Sequence, residues 1–332
     1  MTQLDHIAHA ILEFIQTHDH FLITAHMNAD GDAYASCLAM AYYLNQQGKI
    51  FRIVLNDERQ EDKYQFLWGW QFIEQYSEKD SYQFDAAIVL DVPSLKRIGK
   101  PAQLLPAREH CVKIDHHPYE DDFAALQLVD VHASSTSQLV YEVLSRSDME
   151  WNLEIATLIF TGIMYDTGRF SFSNTRARDF EIAAQLVPFG IRAHEVANHI
   201  FFSHSFQSLR VIGYGLANME QHLNGKLSII FIPYTILKEH PEAEIEELAN
   251  YSVALRDVEV GLFVREPEPG FFKVSFRSKG RANVNRVARA FGGGGHEHAA
   301  GCRLQSTYPQ LKQQLIEEVR QELNRLSQTV VK

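Results

Sequence analysis

The residues in this chain best suited to chemistry are imidazoles and carboxylates gathered at four separated places. These residues are His26, Asp30, Asp32, Asp91, Asp115, His116, His117 and Asp166. The first three fall within seven positions, around Gly31. Nitrogen and carboxylate ligands without a thiolate suit a borderline-hard divalent ion such as manganese better than zinc. The residue types and their spacing therefore predict a metal site.

Five aspartates and three histidines are more ligands than one ion requires. They fit two ions roughly 3.5–4 Å apart, bridged by one carboxylate and a water. Gly31 would let the backbone turn sharply, so that Asp30 and Asp32 point at different ions. Neighbouring side chains on an extended chain point to opposite sides, so His116 and His117 are not expected to serve the same ion. One imidazole can ligate while the other faces a substrate.

Each of the four places ends or follows an apolar run. "FLITA" (21–25), "FDAAIVLD" (84–91) and "CVKIDHHP" (111–118) are typical of strands, and "LEIATLIFTGIMYDTG" (153–168) of a buried helix. Strands alternating with helices predict an α/β fold with a mostly parallel sheet. Such sheets bind ligands outside the carboxyl ends of their strands, where these polar residues fall. One Asp at a strand end is commonly a turn former, and the conjunction of all four places is what favours a site.

The pattern changes from about Leu209 onward. "KLSIIFIPY", "VEVGLFVRE" and "FFKVSFRSK" predict strands, while "NVNRVARAF" and the terminal "LKQQLIEEVRQELNRL" predict helices. We therefore predict a metal-binding domain at 1–188, a helical connector at 189–208 and a smaller α/β domain at 209–332.

The bulk composition narrows the possible partners. The chain has 332 residues and a formal net charge of −11. This acidic balance argues against long nucleic acid, which needs a broad basic face, but allows a short anion held by a metal. Three cysteines without CxxC spacing argue against a disulfide framework or zinc knuckle. The N-terminus does not resemble a secretory signal and no apolar run could span a bilayer, so a cytoplasmic protein without membrane contact is expected.

Five segments of the chain resemble motifs of the DHH phosphoesterase superfamily. In order they are "AHMNADGDAYAS", "VLDVP", "IDHHP", "MYDTGRFSFSNT" and "FGGGGHEHAAG", the last resembling the DHH-associated C-terminal domain. The likeness covers nearly the whole chain. It is greatest to the stand-alone two-domain group of NrnA-type oligoribonucleases (nanoRNases) and pAp phosphatases. The first motif departs from the common pattern in having Ala29 where a proline is usual.

The resemblance implies a role for each residue of the metal site. One manganese ion would be held by His26, Asp30 and Asp91. The second would be held by Asp32, Asp91, His116 and Asp166, with Asp91 bridging. His117 would face the scissile phosphate, and Asp115 would support the histidines as a hydrogen-bond acceptor. His117 and Asp115 are therefore the catalytic candidates beside the metal ligands.

A glycine run in the second domain supplies the substrate-binding candidates. Consecutive glycines let backbone N–H groups approach an anion closely, although a lone glycine run would indicate only a flexible turn. The resemblance implies that this loop grips the terminal nucleotide or phosphate. Two arginines just upstream offer bidentate contacts to phosphate. The candidates are Arg277, Arg281, Asn283, Asn285, Gly293, Gly294, Gly295 and His296.

The implied activity is a manganese-dependent phosphoesterase acting on very short oligonucleotides such as pApA, on pAp, or on both. Metal-activated hydroxide would attack the phosphorus and release mononucleotides. A homodimer is compatible with this group. The alternatives are a family II-type inorganic pyrophosphatase, which typically has a Lys/Arg-rich clamp instead of a glycine loop, and a cyclic-dinucleotide phosphodiesterase. A RecJ-type exonuclease is disfavoured by the acidic charge, and a non-catalytic nucleotide sensor by the intact ligand set.

Overall fold

The computed structural model describes residues 2–58, 60–78 and 82–329. The chain forms two compact units, Met1–Ser203 and His204–Lys332. The division between them falls within the predicted connector at 189–208. Each unit has its own sheet and its own buried apolar core.

The first unit is built on a parallel sheet, which confirms the predicted α/β class. Its strands are β1 (His20–Thr24), β2 (Ile50–Leu55), β3 (Ile73–Gln75), β4 (Ala86–Leu90), β5 (Cys111–Asp115) and β6 (Leu126–Val129). The described strands lie in the order β3-β2-β1-β4-β5-β6, and every pair is parallel. The chain order reverses between β1 and β4, and the loops leaving such a point form a crevice for ligands. The sequence does not predict β3 and β6, because three or four residues carry too little pattern.

Helices and loops cover both faces of this sheet. The helices are α1 (Gln3–Gln16), α2 (Gly31–Gln46), α3 (Leu95–Ile98), α4 (Thr136–Leu144), α5 (Leu153–Asp166), α6 (Ala177–Leu186) and α7 (Ala193–Phe201). Successive side chains of β1 lie on opposite faces of the sheet and belong to different apolar clusters. Phe21 and Ile23 pack with the large helices, and Leu22 packs on the opposite face. Burial on both faces explains why the strands read as continuous apolar runs.

The central helix of the first unit is α2, which packs against both α4 and α5. Every residue from Gly31 to Leu44 is buried. Close approach depends on small residues: an added Cβ on Gly162 of α5 would lie 1.9 Å from Ser137 Oγ and 2.5 Å from Asp32 Oδ1. Gly162 therefore makes room for the first turn of α2, where Asp32 lies.

The second unit contains a mixed sheet with helices. Its elements are α8 (Phe206–Ala217), β7 (Glu220–His222), β8 (Leu227–Ile232), α9 (Tyr234–Glu239), α10 (Leu248–Tyr251), β9 (Val260–Glu268), β10 (Phe271–Ser278), α11 (Val284–Arg289), β11 (Gly294–Gly295), β12 (Ala299–Gln305) and α12 (Tyr308–Thr329). The strand order is β11-β12-β10-β9-β8-β7, with β8 and β9 parallel and the other pairs antiparallel. Among the described residues, no helix combines the length and apolar character needed to cross a membrane.

Two helical glycines provide a matched test of the close approach at α5. Gly162→Ala should lower the free energy of unfolding by about 1–3 kcal/mol or more, because its Cβ has no room. Gly213→Ala, in the exposed middle of α8, meets nothing within 4 Å among the described residues and should be neutral or stabilising by up to about 1 kcal/mol. Urea unfolding of both variants measures the difference, and equal stabilities would contradict the close packing at Gly162.

Candidate active site

The structure brings the eight predicted imidazoles and carboxylates of the first unit together at the carboxyl edge of its sheet. They leave four segments: the loop after β1 and the start of α2, the residue after β4, the end of β5, and the end of α5. The members are His26, Asp30, Asp32, Asp91, Asp115, His116, His117 and Asp166. A chain of contacts of 3.9 Å or less joins seven of them to one another, and Asp32 is grouped with Asp91 and His116.

Asp91 is the centre of this cluster. Its Oδ2 lies 3.3 Å from His26 Nε2, and its Oδ1 lies 3.5 Å from His116 Nε2 and 3.4 Å from His117 Nδ1. The residue adopts a left-handed conformation with φ 58°, which is unusual for a residue other than glycine or asparagine. Its N–H donates to Ile114 O at 3.0 Å and ties it to β5. Backbone strain of this kind persists where surrounding contacts impose it, and functional sites are where it collects.

The turn between β1 and α2 is fixed by two carboxylates. Asp30 caps α2, and its Oδ1 accepts hydrogen bonds from the N–H groups of Asp32 and Ala33 at 3.0 and 3.2 Å. Asp57, which follows β2, accepts from the N–H groups of Asn28 and Ala29 at 2.7 and 2.8 Å. Asp57 could not be identified from the sequence, because a lone acidic residue after a strand does not show which loop it will bind.

The predicted reason for Gly31, a sharp backbone turn, is wrong. Gly31 is not among the residues with positive φ. A Cβ there would lie 2.5 Å from Tyr165 Cγ and 2.7 Å from Tyr64 Oη, so glycine is required by close packing. The turn itself is made by Asn28, with φ 58°.

The N-terminus of α4 binds two of the carboxylates. The backbone N–H groups of Thr136 and Ser137 donate to Asp32 at 2.6 and 2.9 Å. The hydroxyl of Thr136 donates to Asp91 Oδ1 at 3.0 Å. Ser135 caps the helix by accepting a hydrogen bond from Gln138 N. No local pattern in the sequence indicates the contacts of this helix start with Asp32 and Asp91.

The two adjacent histidines of the third segment both contact Asp91 Oδ1, and each also contacts a second carboxylate of its own. His116 Nε2 lies 3.1 Å from Asp166 Oδ2, while His117 Nδ1 lies 2.8 Å from Asp115 Oδ1. Asp115 Oδ1 also accepts from the backbone N–H of His117 at 3.1 Å. Donation from Nδ1–H to Asp115 leaves Nε2 of His117 as the nitrogen that can accept a proton.

A fully buried lysine lies beneath Asp115. Lys113 Nζ is 3.4 Å from Asp115 Oδ2 and donates to Pro93 O at 2.9 Å. The ammonium also lies 5.6 and 5.4 Å from the ring centres of Tyr119 and Phe123. The burial of Lys113 could not be predicted from the sequence, because a lysine in a strand ordinarily faces solvent.

Burial and mutual repulsion dominate the electrostatics of the cluster. Burial raises the pKa of Asp30 to about 6, and burial with neighbouring carboxylates raises that of Asp32. Burial disfavours the charged form of His26, but a hydrogen bond to Asp91 and the charge of Asp30 outweigh it and raise the pKa of His26 to about 9. Burial also opposes ionisation of Asp91, yet hydrogen bonds from His116 and His26 hold the pKa of Asp91 well below its usual value.

The donor atoms fit the binding of metal cations. Within the first unit, three groups each place one ligand atom per residue within 4.8 Å of the others: His26 with Asp30 and Asp91, Asp32 with Asp91 and His116, and Asp91 with Asp115 and His117. Asp91 belongs to all three. Oxygen and imidazole donors, crowded and largely buried, are those that hold divalent ions. The cluster can therefore hold metal, and a carboxylate shared between groups is the arrangement expected of a bridging ligand.

The substrate-binding candidates lie in the second unit, around one end of β10 and β12. Gly294 and Gly295 pair with β12, and a Cβ on Gly293 would lie 2.2 Å from Gly301 O. The loop is thus a tight hairpin that carries His296, whose N–H donates to Ala299 O.

The other candidates differ in their contacts. Asn283 caps α11 by accepting from Arg286 N at 3.1 Å. Arg277 donates from Nε to Asn250 Oδ1 at 3.2 Å, and Arg281 is exposed. Asn285 Oδ1 is buried and has no hydrogen-bond partner within the described residues. The cap on α11 explains the presence of Asn283 without any contact to a substrate. Asn285 Oδ1, in contrast, remains able to accept a hydrogen bond from a ligand.

Replacing Lys113 tests whether Asp115 depends on the ammonium beneath it. Lys113→Met keeps the volume but removes the ammonium beside Oδ2 of the buried Asp115 carboxylate, so the free energy of unfolding should fall by about 3–5 kcal/mol. Lys49→Met removes a lysine paired with the exposed Asp19 and should cost less than about 1 kcal/mol. Both are measured by denaturant unfolding in chelator, and a Lys113 variant as stable as the Lys49 variant would contradict the dependence.

Two family models match the chain. That of the DHH family N-terminal domain matches residues 20–163, and that of the DHHA1 domain matches residues 232–325. Within the described structure these ranges include the first-unit cluster up to Ile163 and the whole glycine hairpin. Asp166 lies just beyond the first match.

Sequence similarity to known proteins extends over most of the chain. The bifunctional oligoribonuclease and PAP phosphatase NrnA of Thermus thermophilus is 30% identical, covering 91% of this chain and 90% of that protein. Its Bacillus subtilis counterpart is 29% identical, covering 89% and 93%. The cyclic-di-AMP phosphodiesterase GdpP of Bacillus subtilis is 25% identical, but the match spans only 47% of that longer protein.

A solved structure agrees with the fold. An exopolyphosphatase-related protein from Bacteroides fragilis superposes with a TM-score of 0.89 at 25% identity, covering 98% of this chain and 100% of that one. The family matches, the relatives and this fold confirm the resemblance carried by the motifs, and the chain belongs to the DHH phosphoesterase family, with a DHHA1 domain as its second domain.

Proposed function

We propose that this protein is a manganese-dependent phosphoesterase that hydrolyses very short oligonucleotides, such as pApA, and pAp to mononucleotides. The observation that carries the proposal is Asp91, one carboxylate shared by three groups of potential metal ligands within the first unit and lying 3.4 Å from His117. Support for the substrate class comes from the NrnA relatives, whose names give oligoribonuclease and PAP phosphatase activity.

The proposed metal ligands divide into two sets that share Asp91. His26 and Asp30 would complete the first set, and Asp32, His116 and Asp166 the second. When bound, divalent ions lower the pKa of coordinated water toward neutrality and neutralise charge on phosphoryl oxygens. The Thr136 hydroxyl, which donates to Asp91 Oδ1, would fix the orientation of the shared carboxylate.

His117 is the proposed proton-handling residue. Its Nδ1 is held by Asp115, which Lys113 neutralises from below. That arrangement fixes the tautomer and presents Nε2 to a phosphate in the crevice, where it would stabilise developing charge or give a proton to the leaving oxygen. Asp115 acts only through His117 in this proposal and contacts no substrate.

The second unit is proposed to recognise the far end of a short substrate. The hairpin of Gly293, Gly294 and Gly295 with His296 would contact a terminal phosphate or base, and Arg277, Arg281 and Asn285 would add polar contacts. Asn283 is proposed to act by capping α11 beside them. Recognition by so few groups suits a mono- or dinucleotide and explains how a chain of net charge −11 can bind an anion.

A cyclic dinucleotide is the second candidate substrate. It is favoured by the GdpP relative, although the chain spans only 47% of that protein. Cyclic di-AMP and pApA both contain phosphodiester bonds between adenylates, so turnover measurements, and not the metal site, distinguish them.

The first test compares substrates and one shared ligand. With manganese, pAp and pApA should be hydrolysed faster than a five-nucleotide RNA, cyclic di-AMP or pyrophosphate. Asp91→Asn should lower kcat for pApA by more than about 100-fold, exceeding the 10–100-fold effect of an outer hydrogen-bond partner. Asp148→Asn, at an exposed position of the same unit, is the matched control and should change nothing. Near-normal turnover by the Asp91 variant, or preferred hydrolysis of pyrophosphate, would contradict the proposal.

The second test uses the competition between protons and metal. Because the pKa of His26 is raised to about 9 without metal, its imidazole is protonated at neutral pH and must lose that proton to ligate. Manganese affinity should therefore rise at least about tenfold per pH unit between pH 6.5 and 8.0. Calorimetry in buffers of different ionisation enthalpy counts the protons released. Affinity independent of pH would show that His26 is not a ligand.

A further inference from the structure

A tyrosine near the candidate active site has a buried hydroxyl that nothing in the described structure uses. Tyr64 lies in a short 3-10 turn, Asp62–Tyr64, in the loop after β2. Its side chain is 0% exposed. Among the described residues, no group forms a hydrogen bond with its Oη. Buried hydroxyls in native structures almost always have a partner, so this one calls for an explanation.

Aromatic packing fixes where the hydroxyl points. The ring centre of Tyr64 lies 5.2 Å from that of Tyr34, 6.3 Å from Trp70 and 6.4 Å from Tyr165. These neighbours are buried or partly buried, and they leave the ring little freedom. The hydroxyl lies against Gly31, since a Cβ on that glycine would be 2.7 Å from Oη. It is therefore held beside the backbone that joins Asp30 to Asp32.

The chemistry of the hydroxyl is that of a neutral donor. Burial, followed by the nearby Tyr165, Glu61 and Asp30, raises the pKa of Tyr64 above its ordinary value, so the proton stays on the oxygen. Asp30 does not need this donor for its Oδ1, which already accepts from two backbone N–H groups. Its Oδ2 is directed toward the cluster, 3.9 Å from His26 Nε2. Asp30 immediately precedes Gly31, the residue against which the Tyr64 hydroxyl lies.

We propose that Tyr64 is a positioning residue of this site, whose hydroxyl donates a hydrogen bond to an oxygen atom bound beside Asp30. The oxygen belongs to a water around a bound divalent ion or to a phosphoryl group. The proposal rests on the proposed function only in taking the cluster to bind metal and phosphate. It assigns to the loop after β2 a direct part in the site, beyond the support that Asp57 gives to the turn.

The test compares two tyrosines that differ in whether the hydroxyl is already used. Tyr64→Phe removes only the unpartnered hydroxyl. Tyr34→Phe is the matched control, because the hydroxyl of Tyr34 interacts with the backbone of Glu61 and its ring packs on Tyr64. In chelator, Tyr64→Phe should unfold at the same or higher urea concentration than the natural protein, because it removes an unpaired buried polar group. Tyr34→Phe should unfold at a lower concentration.

Two calorimetric titrations then identify the source of the oxygen. If the oxygen is water around the ion, Tyr64→Phe should weaken binding of manganese alone about 3- to 10-fold. If it is a phosphoryl oxygen, manganese binding should be unchanged, and inorganic phosphate should bind the manganese-loaded variant about 3- to 10-fold more weakly. Tyr34→Phe should alter neither titration.

Either of two results would overturn the proposal. One is normal manganese and phosphate affinity in Tyr64→Phe. The other is a loss of stability in chelator for Tyr64→Phe as large as that for Tyr34→Phe, which would mean that the hydroxyl has a structural partner. Neither titration depends on turnover. Failure of the natural protein to hydrolyse pAp or pApA would therefore count against the proposed function alone.

Discussion

Several carboxylates crowd together at one edge of the parallel sheet, and the arrangement of the first unit depends on offsetting their repulsion. Asp32 and Asp91 are buried side by side near Asp30 and Asp166, and like charges so placed repel strongly. The chain offsets the repulsion with donors rather than with surface cations: backbone N–H groups of α4, a threonine hydroxyl and imidazoles. Cations would complete the compensation, because the donors present leave Asp30 and Asp32 with raised pKa values.

The same constraint explains why α2 and α4 pack as they do. Both helices begin at the cluster, so the positive ends of their dipoles meet the carboxylates. The close approach of α5 to α4 and α2 requires glycine at position 162, where an added Cβ would lie 1.9 Å from Ser137 Oγ and 2.5 Å from Asp32 Oδ1. A fold-stabilising contact and a ligand-holding contact therefore depend on the same few atoms around Asp32. A substitution of Gly162 should therefore displace Asp32, even though Gly162 itself is not a candidate metal ligand.

Much of the fold and nearly all of the cluster could be predicted from the sequence, for a local reason. Apolar runs such as "FDAAIVLD" reveal strands, and the residue where a run stops is the residue that reaches the sheet edge, as Asp91 does. The residues that were missed act across long sequence separations. Asp57 binds Asn28 and Ala29, and Thr136 binds Asp91, through pairings that no local pattern contains. Short elements such as β3, β6 and β11 were missed because register and neighbours form them rather than periodicity.

The hydrogen bonds that Asp57 makes with the turn limit how this motif can diverge. A proline at position 29 would lack the N–H that Ala29 donates to Asp57 Oδ2. A ring can stiffen a loop by itself, whereas alanine depends on an acceptor from another segment. The effect of a substitution at position 29 should therefore depend on which residue occupies position 57.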